Sequence, residues 1–284
     1  MNCKILLFSG SYLEVKYPHI FWTPCAAHCI ILMLKDIGKL LIVKMTLSRA
    51  MEVTGYIYSH GWVLNLMRQK TGKRELLRPA VTRFATSFLT LSSLHTQKVK
   101  LRKMFISTQW KESRWAKEQK GKAVEKIVGM NSFWNNVTYV LKLTAPLVRV
   151  LRLVDSEKKP AMGYIYEAVD RAKEAIMAAF EDESKYKDVF DIIDRRWEVQ
   201  LHRPLHAAGY YFNPEFFYDN TNISGDEEVM TGLYKVIQKM VPEEDQDKID
   251  RQISIYKNAG GLFGFDIAIR NRKKKSPGKK TRQF

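Results

Sequence analysis

Between Phe133 and Val154 the apolar residues return every three to four positions: Phe133, Val137, Val140, Leu141, Leu147, Leu151 and Val154. A stripe of that period kept up over several turns belongs to a helix with one buried face, and such a helix must be covered by others. Pro146 lies inside it and predicts a kink, because proline has no N–H to give to the preceding turn. The pattern continues downstream. Pro160 opens a helix carrying Met162, Tyr166, Val169, Ile176 and Phe180, and another carries Tyr186, Val189, Ile193, Trp197 and Leu201 until Pro204. Ser224-Gly225-Asp226-Glu227 has the Ser-x-x-Glu form of a capping box ahead of Val229, Leu233, Val236, Ile237 and Met240. Pro242 starts an acidic helix with Ile249, Ile253 and Tyr256. Residues 111–265 therefore read as an all-helical module, with no internal repeat at a fixed period.

The first third reads differently. His19 to Trp22 is a short bulky run closed by Pro24, which predicts a strand feeding a helix that carries Ile30, Ile31, Leu34 and Ile37. Met51 to Arg68 predicts a second helix, weakened by Gly55 and Gly61 and stopped at Thr71-Gly72. Glu75 to Ala80 reads as extended, and Thr82 to Phe105 places Phe84, Phe88, Leu91, Leu94, Val99 and Leu101 at roughly helical intervals. The order strand, helix, helix, strand, helix ahead of a helical module is an α/β chain turning mostly α.

Charge narrows the partners. The 284 residues hold 47 Lys+Arg against 30 Asp+Glu, a net charge of +17, and a field of that sign draws polyanions. The excess is uneven. Residues 1–100 carry four acids (Glu14, Asp36, Glu52, Glu75) against fourteen basic residues. Lys98, Lys100, Arg102, Lys103, Lys111, Arg114, Lys117, Lys120, Lys122 and Lys126 face only Glu112, Glu118 and Glu125, with Trp110 and Trp115 between them. This is the composition of a nucleic-acid face, or equally of the solvated side of a long helix whose indoles pack on the core. From Arg270 to Phe284 there are eight basic residues and no acid, which predicts a disordered basic tail over 266–284. Three cysteines (Cys3, Cys25, Cys29) make no disulfide framework and suit a reducing compartment. The most apolar stretch, Ile30 to Leu47, contains Lys35, Asp36, Lys39 and Lys44, so no membrane span is expected, and the apolar run Ile5 to Phe8, ended by Ser9 and Gly10, is too short for a secretory leader.

Motifs for small-molecule chemistry are missing: there is no GxGxxG, GxxxxGK[ST], HExxH or GxSxG, and no small-molecule substrate is expected. Cys25, His28 and Cys29 share a helix face at i, i+3 and i+4 and could begin a metal site. A zinc centre needs a further ligand pair at recognisable spacing, which His19, His60, His95, His202, His206 and Cys3 do not form. The alternative is a helix start buried against a strand.

The segments Phe21-Trp22-Thr23-Pro24-Cys25-Ala26-Ala27-His28-Cys29-Ile30 and Leu32-Met33-Leu34-Lys35-Asp36-Ile37-Gly38 resemble plant members of the hAT superfamily of DNA transposases. The resemblance continues at Tyr56-Ile57-Tyr58-Ser59-His60, at Arg78-Pro79-Ala80-Val81-Thr82-Arg83-Phe84-Ala85-Thr86, and at Leu205-His206-Ala207-Ala208-Gly209-Tyr210-Tyr211-Phe212-Asn213-Pro214, spanning roughly residues 17–269. It implies an RNase H-like core over 17–110, here truncated, interrupted by a large helical insertion domain over 111–265, with 1–16 an unmatched N-terminal segment. It implies that Cys25 and His28 form the family's structural Cys-x-x-His motif and not a metal site. The family's Arg-Trp pair, which handles the transposon end, falls on Arg83 and Phe84. A phenyl ring can still stack on a base, without the indole donor.

The family's activity needs three acids that hold two divalent metal ions such as Mg²⁺. Two aspartates precede its Cys-x-x-His motif, whereas the 24 residues before Cys25 contain no Asp. The third acid lies in a Ser-Glu-Arg-x-Phe-Ser segment, which has no counterpart around Arg270. The expectation is a catalytically inactive hAT-derived fragment without cofactor. It would bind DNA, with no strong sequence preference or at transposon ends, through Arg83, Phe84, Lys98, Lys100, Arg102, Lys103, Lys111 and Arg114. The alternatives are a helical scaffold that pairs with itself or with hAT relatives, and a non-functional transposon relic. Arg272, Lys273, Lys274, Lys275, Lys279 and Lys280 form a nuclear-import candidate, so the nucleus is the expected location.

Overall fold

A computed structural model describes residues 10, 12–77, 85–156, 160–220 and 222–274. Among them there is no strand. The chain is mostly α, and the strand read at His19 to Trp22 is corrected: residues 20–25 carry no regular structure, nor do residues 75–77, the described part of the extended piece read over Glu75 to Ala80. His19 to Trp22 is bulky enough for a strand, but no strand among the described residues offers it a ladder, and an isolated strand leaves its backbone groups unpaired. No sheet of the kind an RNase H-like core has lies among the described residues of 17–110.

Two compact units make up the chain: residues 1–30, 149–174 and 193–284 in the first, 31–148 and 175–192 in the second.

The second unit begins within α1 (Ala26–Ile37), which is followed by α2 (Leu41–Ser59), the helix on which α3 (Gly61–Thr71), α4 (Ala85–Thr96) and α8 (Gln119–Gly129) pack. The single helix expected over Met51 to Arg68 is two, because His60 is extended (φ −125°, ψ 103°) and its Nδ1 lies 2.8 Å from the Tyr56 carbonyl. Gly72 closes α3 in the left-handed region (φ 67°), returning its N–H to the Arg68 carbonyl. Between α5 (Lys98–Ile106) and α8 the expected long helix is a staircase of two short ones, α6 (Thr108–Glu112) and α7 (Arg114–Lys117). Ser107 and Ser113 make the steps: each hydroxyl accepts the backbone N–H three residues on, at 3.3 Å from Trp110 and from Ala116, and so starts a new helix. Gly121 lets α8 begin against the Trp115 carbonyl, where a Cβ would collide with that oxygen and meet the Tyr56 hydroxyl at 2.9 Å. The stripe that begins at Phe133 lies on α9 (Asn131–Val154), which runs through Pro146. Phe133, Val137, Val140 and Leu147 are at most 1% exposed.

The first unit is centred on α12 (Pro204–Tyr211) and α14 (Glu227–Met240). They approach closely because Gly232 lies against Ala207, with no room for a Cβ. The segment from Leu205 to Pro214 explains itself residue by residue. The His206 ring sits 2.7 Å from the Leu201 carbonyl, and Gly209 leaves space for Met162. The Tyr210 hydroxyl donates to Glu167 at 2.7 Å, while fully buried Asn213 donates to the Gly163 carbonyl at 2.7 Å and accepts from the Glu215 N–H, capping α13 (Pro214–Phe217). The cap of α14 is Asp226, whose carboxylate accepts the Val229 N–H at 3.1 Å, and not the Ser224 of the expected capping box. Ser224 instead lies within the short 3₁₀ turn Ile223–Gly225. In the same unit lie the rear of α9, the first turns of α10 (Ile165–Met177) and the end of α11 (Lys187–Arg196). Beyond α15 (Glu243–Lys257), residues assigned to a disordered tail are folded: α16 spans Asp266–Asn271.

Candidate nucleic-acid interface

Most of the chain's positive excess lies in the second unit, where residues 31–148 carry 21 Lys+Arg against six Asp+Glu and residues 175–192 carry two against five. Four of these cations, Lys98, Arg102, Lys103 and Lys126, converge on one cleft of about 670 Å³ between α5 and α8. Its remaining lining is Val99, Phe105, Ile106, Glu125, Val128 and Gly129.

The cleft is built on a fixed floor. Phe105 and Val128 are buried, and the Trp134 indole donates to the Val128 carbonyl at 2.7 Å. Trp110 lies fully buried edge-on to Phe105, and its indole N–H donates to Glu125 at 2.9 Å. That bond occupies the one acid of the cleft. Arg102 is held by the Gly129 carbonyl at 2.7 Å and by Asn131 Oδ1 at 2.8 Å, which fixes its guanidinium at the rim. The Lys98 ammonium lies 5.7 Å from the centre of the Trp134 ring, a cation–π distance.

The other basic residues singled out in the sequence do not join this cleft. Lys100 points to the far side of α5 and donates to the Thr71 carbonyl at 3.1 Å, so it fastens α5 to α3. Lys111, Lys117, Lys120 and Lys122 are exposed along α6 to α8. Arg114 stacks on Trp115, with its guanidinium carbon 4.2 Å from the ring centre. Trp115 is half-buried beside His60, and its carbonyl accepts the Tyr56 hydroxyl at 3.3 Å. Burial, then the Glu118 carboxylate, push the Tyr56 hydroxyl above its ordinary pKa, so it stays a donor. Arg83 and Phe84 lie outside the described residues.

Of the cleft's ten lining residues, the sequence candidates include Lys98, Arg102 and Lys103. Val99 and Leu101 both belong to the apolar run of Thr82 to Phe105, but Leu101 is buried and Val99 is 64% exposed. The signal was present as the spacing Val99, Arg102, Lys103, Ile106, which is i, i+3, i+4, i+7 and marks a second face of the same helix.

In the first unit Cys25 and His28 are exposed at the start of α1 and Cys29 is buried, so the three do not converge. Among the described residues no group of three or more His, Cys, Asp or Glu is arranged to hold a metal ion. No helix among them is long and apolar enough to cross a membrane. Of the import candidate, Arg272 lies over the Tyr218 ring at 3.6 Å and donates to the Phe263 carbonyl, and Lys273 pairs with Asp219 at 2.7 Å. Lys274 is exposed, and Lys275, Lys279 and Lys280 lie outside the described residues.

Residues 2–53 match the family model described as Domain of unknown function (DUF659). That domain is found in plant hAT-like transposase-related proteins. The match covers the Cys-x-x-His segment, α1 and the first two-thirds of α2. No curated protein and no solved structure matches the chain at a significant level.

Proposed function

We propose that the chain is a hAT-derived protein that binds DNA through its phosphate backbone and does not cut it. The observation that carries this reading is the run of exposed cations Lys111, Lys117, Lys120 and Lys122 along α6 to α8. Phosphate contacts of this kind position a protein on DNA without reading its sequence. The match of residues 2–53 to DUF659, with the sequence segments set out above, supports the hAT origin. Lys274, Lys275, Lys279 and Lys280 would serve nuclear import, since Arg272 and Lys273 are engaged within the first unit.

The test is fluorescence-anisotropy titration of the full chain with a random duplex and a transposon-end duplex over a salt series. Each phosphate neutralised adds about 0.9 to the slope of log affinity against log salt. Replacing Lys117, Lys120 and Lys122 by Ala should lower that slope by about 2 to 3 for both duplexes alike. A preference for the transposon end that Arg83→Ala or Phe84→Ala removes would add end recognition. Binding that is flat between low and physiological salt would sink the proposal.

A further inference from the structure

We infer that the cleft between α5 and α8 is a docking groove for an acidic amphipathic helix of a partner protein. This goes beyond the DNA reading and does not rest on it, since phosphate contacts need only exposed cations. The groove has two chemistries in one place. Val99 and Ile106 stand 64% and 66% exposed at its two ends, and between them on the same helix face lie Arg102 and Lys103. Seven residues of helix separate the aliphatic pair, about 10.5 Å along the axis. That is the spacing at which a second helix presents its own i and i+7 side chains.

Aliphatic side chains decide which polyanion fits. A DNA duplex would meet the cations with phosphates and leave Val99 and Ile106 facing a charged, hydrated backbone. Stacking of bases needs accessible aromatic faces, and the one aromatic ring of the lining, Phe105, is 2% exposed. A helix with leucine-like residues on one face and carboxylates flanking them satisfies both chemistries at once. The opposite wall makes room for it: a Cβ built on Gly129 meets nothing within 4 Å. Carboxylates of the partner would find Lys98, Lys103 and Lys126 at the rim, and Arg102 already oriented by Gly129 and Asn131. A fixed floor and a fixed guanidinium reduce the ordering cost of binding.

The experiment uses the full chain and a fluorescein-labelled peptide of about four helical turns, with leucines at i, i+3, i+4 and i+7 and glutamates flanking them. A scrambled peptide of the same composition and a random DNA duplex are titrated alongside. The expected result is saturable binding of the first peptide, weakened about tenfold or more by scrambling, and by V99S combined with I106S. Both substituted side chains are exposed, so the thermal melt and the DNA titration of that variant should match the unsubstituted chain. Equal binding of the two peptides would show attraction by charge alone and overturn the inference. Full affinity of the V99S/I106S variant, or no binding of either peptide, would overturn it too.

Discussion

Gly121 and His206 show how single side chains set the packing. At Gly121 the absent Cβ is what allows α8 to start against the Trp115 carbonyl. Gly121→Ala should therefore cost about 1–3 kcal/mol, the range for overpacking a fitted site. Gly55, in the exposed middle of α2, has nothing within 4 Å of a built Cβ. Gly55→Ala should raise stability by about 0.5–1 kcal/mol through helix propensity alone. Urea denaturation of the two variants reads opposite signs from the same substitution. His206 is 3% exposed, and burial holds its pKa below the ordinary histidine value, with Arg203 adding to the effect and the Leu201 carbonyl opposing it. The unfolded chain thus binds a proton at a higher pH than the folded one does. Stability supplied by neutral His206 is complete above about pH 6.5 and is lost as pH falls below it. Thermal melts between pH 7.5 and pH 5 should show this loss, and His206→Asn, which keeps a neutral donor, should flatten it.

Helix pairs carry the next level. The crossing of α12 and α14 depends on two small residues, Gly232 and Ala207, with nothing between their Cβ positions. Gly232→Ala should push the helices apart at about 1–3 kcal/mol, and adding Ala207→Gly should recover a measurable part, as a double-mutant cycle would show. Ser107 and Ser113 do for α6 and α7 what Asp226 does for α14, supplying a side-chain oxygen to an otherwise unpaired N–H. The run of cations that reads as one face is thereby divided. Within α5 the helical turn alone sends Lys98 and Arg102 to the cleft and Lys100 to α3, and beyond the steps Arg114 covers Trp115.

Charge acts over the whole molecule. The second unit holds 23 basic residues to 11 acids, so it repels itself at low ionic strength. Its melting temperature should rise from about 10 mM to 150 mM salt as the Debye length falls from roughly 30 Å to 8 Å. A DNA duplex added at low salt should raise it further, because a ligand of the folded state stabilises it by mass action. If scanning calorimetry finds duplex without effect at low salt, the phosphate-binding surface proposed for α6 to α8 is wrong.

Sequence alone determined the helices with long apolar stripes, the stop at Thr71-Gly72 and the sign of the surface charge. These follow from period, capping chemistry and counting, which act within a few residues. It also marked Lys98, Arg102 and Lys103, three of the cleft's ten lining residues, as candidates. The tertiary structure decided that His19 to Trp22 is no strand, since strands exist only with a partner to share their hydrogen bonds. It decided that Trp110 is core and holds Glu125, and that Val99 faces out. Most of all it decided which cations stand together, because α8 meets α5 only through packing that joins residues more than twenty positions apart, and no local pattern encodes that meeting.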